Sequence, residues 1–120
     1  MEHKLYTIDV EGMDFHAFHG CYALEQRTGS HFEVSLRITT ELGTVAESDD
    51  VTKAVNYLSV YEVVRRVMGI TQHTIERVAT NIIAALREQF PQIEQVECRV
   101  TKLAPPLGGK VARVSVTIRG

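Results

Sequence analysis

The stretch Val96-Glu97-Cys98-Arg99-Val100-Thr101-Lys102 alternates strictly, and Lys102 falls on its apolar parity. Side chains alternate faces along a strand, so Lys102 points with Val96, Cys98 and Val100. A lysine so directed either snorkels into water or sits partly desolvated, and desolvation lowers a lysine's pKa towards neutrality. A desolvated lysine can carry a proton for a reaction. Three other residues have types that suit a small-ligand site. Glu76 sits in the first turn of a helix, just outside its apolar stripe, and, as an acceptor-only group, can either complement the helix dipole or anchor a ligand with two parallel N–H donors. Tyr57 is in phase with a buried helix face, which makes it a core aromatic or a ring that stacks on a flat ligand and relays a proton. Glu25 follows His19-Gly20 in a loop and reads most simply as a surface residue.

Other chemistries find less support. His16, His19 and His31 suggest a zinc site, but positions 16 and 19 on one strand point to opposite faces, and no oriented set of three ligands is legible. No metal and no cofactor are expected. Phosphate-cradling glycine patterns and a serine nucleophile elbow are absent. Cys98 reads as a small core residue and Cys21 as a loop thiol, with no disulfide expected.

The elements that must position these residues follow from periodicity. A strand is expected over residues 5–18, with a bulge at Gly12-Met13, then a loop over 20–29 and a half-buried strand over 31–42. The polar stretch 43–52 reads as a loop. A helix follows, beginning either at Asn56 or at the Ser59/Glu62 capping box and ending at Gly69. Its apolar face is Tyr57, Val60, Tyr61, Val64, Val67 and Met68. A second helix runs from Thr74 to Gln89 with the stripe Ile75, Val78, Ala79, Ile82, Ile83, Leu86, Phe90. Strands over 95–102 and 111–119 close the chain around the tight loop 104–109. The order β-β-α-α-β-β describes an α+β domain, a four-stranded antiparallel sheet with two helices on one face. Its two unpaired edges call for a partner, and joining copies edge to edge supplies one.

Composition bounds the partners. The 120 residues make one domain spanning 1–120, with 44% hydrophobic residues. Thirteen basic residues against 15 acidic ones give a formal charge of -2 without like-charge blocks, which points away from nucleic acid and membrane surfaces. The start Met1-Glu2-His3-Lys4 has no apolar leader run, and a cytoplasmic location is expected.

Read together, the motifs resemble the dihydroneopterin aldolase family over essentially the whole chain. They are His19-Gly20 with Glu25 and Gly29, Ser48-Asp49-Asp50-Val51 before Val55-Asn56-Tyr57, Ile75-Glu76-Arg77-Val78-Ala79, and Val100-Thr101-Lys102 before Pro105-Pro106. One departure is Thr74, preceded by His73, where the family usually has an apolar residue. The resemblance implies a tunnelling fold, with sheets joined into an oligomeric barrel, a tetramer or octamer, and active sites between subunits. It implies that Glu76 and Lys102 come from one chain, and Glu25, Val55 and Tyr57 from its neighbour. Glu76, helped by the backbone at Ile75, would bind the pterin 2-amino group and ring N–H, and Tyr57 would cover the ring. Lys102, Tyr57 and water would relay protons in a retro-aldol cleavage of 7,8-dihydroneopterin that needs neither Schiff base nor metal. Two alternatives belong to the same fold: an epimerase of dihydroneopterin or its triphosphate, and a zinc-dependent pterin synthase. A third is a catalytically silent pterin-binding, ring-forming domain.

Overall fold

The computed structural model describes residues 4–43 and 45–120. The leader reading of Met1 to His3 and the loop position Thr44 lie outside the described residues. Strand β1 (Leu5–Ala17) and strand β2 (Ser30–Glu41) form a long antiparallel pair. The expected bulge is present: register shifts between Val10 and Met13, where Gly12 takes a φ of 68° and its N–H donates to Ser35 Oγ at 3.0 Å. Strand β3 (Ile93–Leu103) and strand β4 (Arg113–Arg119) complete a sheet of order β1-β2-β3-β4. β1 and β4 are its edges.

The connections hold more structure than the polar composition suggested. Within the 20–29 loop, Ala23–Thr28 coil into a short helix, α1, because Ala-Leu-Glu-Gln-Arg are good helix formers and Gly29, at φ 77°, stops them. Within 43–52 lie one turn of helix, α2 (Val45–Ser48), and a 3-10 turn (Val51–Lys53) capped by Asp50. Helix α3 (Tyr57–Met68) starts at Asn56, whose side chain accepts from the Leu58 N–H at 2.9 Å, so the Ser59/Glu62 alternative is not used. Helix α4 (Ile75–Gln89) is capped by Thr74, which accepts from the Arg77 N–H at 3.2 Å. Capping explains the polar residue at position 74.

One sheet face is the core. Rows of partners run straight across it: Ile8, Ile38 and Val96; Val10, Leu36, Cys98 and Ile118; Met13, Val34, Val100 and Val116. Helices α3 and α4 cover this face, α4 against β3 and β4 and α3 towards β1. The α4 stripe is buried as expected, apart from half-buried Ile75. On α3 the expectation fails at its start. Val60, Val63, Val64, Val67 and Met68 are buried, but Tyr57 is 72% and Tyr61 37% exposed, because the start of the helix overhangs the β1 edge beside Ile8 to Glu11. The opposite sheet face is charged and solvated, with Arg37 bonded to Asp9 and Arg119 to Glu97, both at 2.8 Å. Cys98 is fully buried and its thiol is pushed up to about 12 by desolvation, whereas Cys21 is exposed; both are free.

Candidate active site

The next core-face row is Phe15, Phe32, Lys102 and Val114. Lys102 therefore points where its parity says, at the end of β3, with its side chain 13% exposed. Its ammonium lies 5.9 Å from the Phe32 ring centre and is ion-paired and hydrogen-bonded to Glu25. The lysine is thus desolvated but charge-compensated, and the snorkelling alternative does not hold.

Glu25 is not a surface residue. Its side chain is 16% exposed, and it meets Lys102 of its own chain rather than reaching it from a neighbour. The reason lies in the two glycines that bracket α1. Gly20 backs directly onto Glu25, and a Cβ there would sit 2.6 Å from the Glu25 Cβ. At Gly29, φ is 77° and a Cβ would lie 3.0 Å from the Ala17 carbonyl oxygen. Only glycines at both ends let the helix fold down onto the end of β3. Gly20→Ala is accordingly expected to push α1 off Lys102, destabilising the fold by about 1–3 kcal/mol and lowering turnover by roughly 100-fold. A variant with wild-type activity and melting temperature would rule this packing role out.

His19 anchors the same turn from below. It is fully buried, its Nδ1 accepts from the Gln72 N–H at 3.0 Å, and its ring meets Phe32 edge-on. Its Nε2 lacks a hydrogen-bond partner among the described residues. Burial holds its pKa below the usual 6.5, the Lys102 charge pushes the same way, and the nearby Met68 carbonyl opposes both. The unfolded chain then takes up a proton before the folded one does. Stability is complete above pH 6.5 and falls as pH drops from 6.5 to the folded-state pKa, by up to ~1.4 kcal/mol per pH unit. Denaturant titrations at pH 7 and 5.5 should show this slope reduced in His19→Asn, which keeps an acceptor but cannot ionise; equal slopes would refute it. His16 and His31 are occupied elsewhere, with the Thr28 carbonyl and Asp14. Among the described residues no three His, Cys, Asp or Glu side chains gather as metal ligands.

Beside the Lys102–Glu25 pair opens a cavity of about 380 Å³, walled by Tyr22, Leu24, Ile75, Pro106 and Val114. The chain turns sharply after Lys102, with Ala104 at φ 46° and its N–H bonded to the Ala112 carbonyl at 2.8 Å, which folds the proline loop over the cavity. The apolar walls leave the ion pair as its charged feature. Ile75 brings the α4 N-terminus to the rim, where the first N–H groups have no intrahelical acceptor, and Glu76 stands exposed next to it. Tyr57 and Val55 are elsewhere. Tyr57 lies at the β1 edge, across the sheet from the β4 edge that carries Val114, and Val55 is buried with its side chain in the core. One chain therefore assembles Lys102, Glu25 and Ile75 at the cavity, places exposed Glu76 next to Ile75 in the first turn of α4, and keeps Tyr57 apart from them.

A profile of the dihydroneopterin aldolase family matches residues 8–119. The chain belongs to the dihydroneopterin aldolase family. A dihydroneopterin aldolase of Streptococcus pyogenes serotype M1 is 33% identical over 112 residues, covering 92% of this chain and 94% of the relative. That of Bacillus subtilis is 29% identical over 110 residues, covering 91% and 92%. Among solved structures, the Escherichia coli dihydroneopterin aldolase in complex with neopterin superposes with a TM-score of 0.86 at 23% identity, covering 96% of this chain and 98% of that one. At that identity the likeness speaks for the fold. The resemblance read from the motifs is borne out, and so is the β-β-α-α-β-β order of main elements read from periodicity. Its placement of Glu25 on a neighbouring chain is corrected by the ion pair with Lys102. The helix α1 and the polar contacts beneath it escaped the sequence reading, because six residues between two glycines show no usable periodicity.

Proposed function

We propose that this chain, acting as a single domain, cleaves 7,8-dihydroneopterin by a retro-aldol reaction to 6-hydroxymethyl-7,8-dihydropterin and glycolaldehyde, a step of folate biosynthesis. The observation that carries the reading is a charge-compensated lysine in an apolar cavity beside a helix N-terminus bearing an exposed glutamate. Glu76 accepts from the pterin 2-amino group and ring N–H, with the Ile75 backbone at its side, and holds the bicyclic ring across the cavity mouth. The side chain of the substrate then points at Lys102. A proton leaves the 2′-hydroxyl as the C1′–C2′ bond breaks, and the electron pair moves into the dihydropterin ring protonated at N5. Reprotonation at C1′ gives the hydroxymethyl product. Lys102 and an ordered water move these protons, and Glu25 holds the ammonium in place. Epimerisation at C2′ follows when glycolaldehyde re-adds to the same intermediate.

Tyr57 reaches this site from a second copy. The β4 edge ends at the cavity with Val114 partly exposed, and the β1 edge carries exposed Leu5 and Tyr57. Pairing β4 of one copy with β1 of the next buries both edges and brings a Tyr57 ring over the pterin, with the backbone at Val55 beside it. Repeated around an axis, this closes a ring of sheets as a tetramer, or an octamer if two rings stack. A cytoplasmic location belongs to the same reading. Among the described residues no helix is long and apolar enough to cross a membrane.

The test is to incubate the protein with 7,8-dihydroneopterin and resolve the products. Glycolaldehyde and the hydroxymethyl pterin in equal amounts are expected. Only the 2′-epimer would identify an epimerase, and bound pterin without release would identify a binding domain.

A further inference from the structure

Helix α1 places Glu25 yet buries none of its own residues in the core. Something other than apolar packing must hold it. The contacts that do so converge on Gln26. Its amide nitrogen donates to the Gly20 carbonyl at 2.8 Å and lies 3.0 Å from His73 Nδ1. The carbonyl can only accept, so the amide nitrogen, not its oxygen, faces both groups. His73 Nδ1 is then the acceptor, and both amide hydrogens are used.

His73 belongs to the other half of the site. It directly precedes Thr74, the cap of α4, and stands three residues before Glu76. The segment before it is laced to the His19-Gly20 turn: the Gly20 N–H donates to the Gln72 carbonyl at 3.1 Å, and the Gln72 N–H to His19 Nδ1 at 3.0 Å. The Cys21 thiol lies 3.4 Å from the His73 carbonyl. Gln26 is the side-chain crossbar of this ladder. One of its neighbours in sequence holds Lys102, and the segment at its far end carries the α4 cap.

We propose that Gln26 is a positioning residue, which through His73 Nδ1 fixes the distance between the Lys102–Glu25 pair and the α4 N-terminus bearing Glu76. This rests on the functional reading above. The ring is anchored at one end of that distance and the bond breaks at the other, so a slack crossbar leaves ring binding intact and spoils the alignment for cleavage.

The experiment compares wild type, Gln26→Met, His73→Leu and His73→Asn for turnover of 7,8-dihydroneopterin, for neopterin affinity and for melting temperature. Methionine keeps the length of glutamine without its donors, and asparagine offers an acceptor near the position of His73 Nδ1. Gln26→Met and His73→Leu are expected to lose ~10–100-fold in kcat, with neopterin affinity within about threefold of wild type. Gln26→Met combined with His73→Leu should be no worse than either single one. His73→Asn should recover most of the turnover. The proposal is overturned if Gln26→Met turns over like wild type, if affinity falls as far as kcat, or if His73→Asn is as impaired as His73→Leu. An inactive wild type would overturn the functional reading itself and this proposal with it, whereas an active wild type beside an unimpaired Gln26→Met would overturn this proposal alone.

Discussion

Lys102→Ala should lower kcat for 7,8-dihydroneopterin cleavage by about 10²–10⁴-fold, the usual worth of a positioned proton-transfer group. The same substitution leaves Glu25, with its side chain 16% exposed, without its counter-charge. Breaking such a pair costs about 3–5 kcal/mol when fully buried, and the residual exposure here puts the expected loss at the lower end. Loss of activity could then be confused with loss of fold. Lys102→Ala combined with Glu25→Ala separates the two, because removing both charges restores stability without restoring a proton carrier. Recovery of turnover in the double variant, or an unimpaired Lys102→Ala, would show that the lysine is only a structural partner for Glu25.

Glu76→Ala should weaken neopterin binding by about 10²–10⁴-fold. Two hydrogen bonds to a carboxylate are worth roughly 1.5–3 kcal/mol each, and each 1.4 kcal/mol is tenfold in affinity. Here stability is not the confounder. Glu76 is exposed, and the helix-dipole contribution of an acidic group in the first turn is only about 0.3–1 kcal/mol. Calorimetric titration of neopterin into folded Glu76→Ala is therefore a direct reading of the anchor. Affinity within threefold of wild type would remove Glu76 from the site and leave its solvated, dipole-complementing role as the whole explanation.

The contrast between these two residues follows from where their information lies. Glu76 is legible because its helix is: fifteen residues with an apolar stripe, capped by Thr74, fix which turn comes first and hence where residue 76 stands. Lys102 is half legible. Two-residue periodicity gives its face without ambiguity, and the row Phe15, Phe32, Lys102, Val114 realises it. Its partner lies 77 residues away in sequence, and no local pattern connects them. Tyr57 shows the opposite failure. It is in phase with the buried face of α3, yet the sheet ends beneath it, and a helix that starts beyond the surface it covers leaves its first residue bare. Periodicity reports the direction of a side chain, not whether anything is there to meet it.

By itself, the sequence determined the order of the main elements, the faces they bury, the direction of Lys102, the helix turn that carries Glu76, and the family through motifs kept in order along the chain. These are local or linear properties, set by periods of 2 and 3.6 residues and by capping chemistry within a few positions. Only the tertiary structure decided that Glu25 meets Lys102 within one chain, that α1 is held by polar contacts through Gln26 and His73, and that Tyr57 stands apart at the far edge of the sheet. Each of those is a contact between segments distant in sequence. Its geometry depends on how closely two backbones approach, at Gly20 above all, and on where the sheet stops.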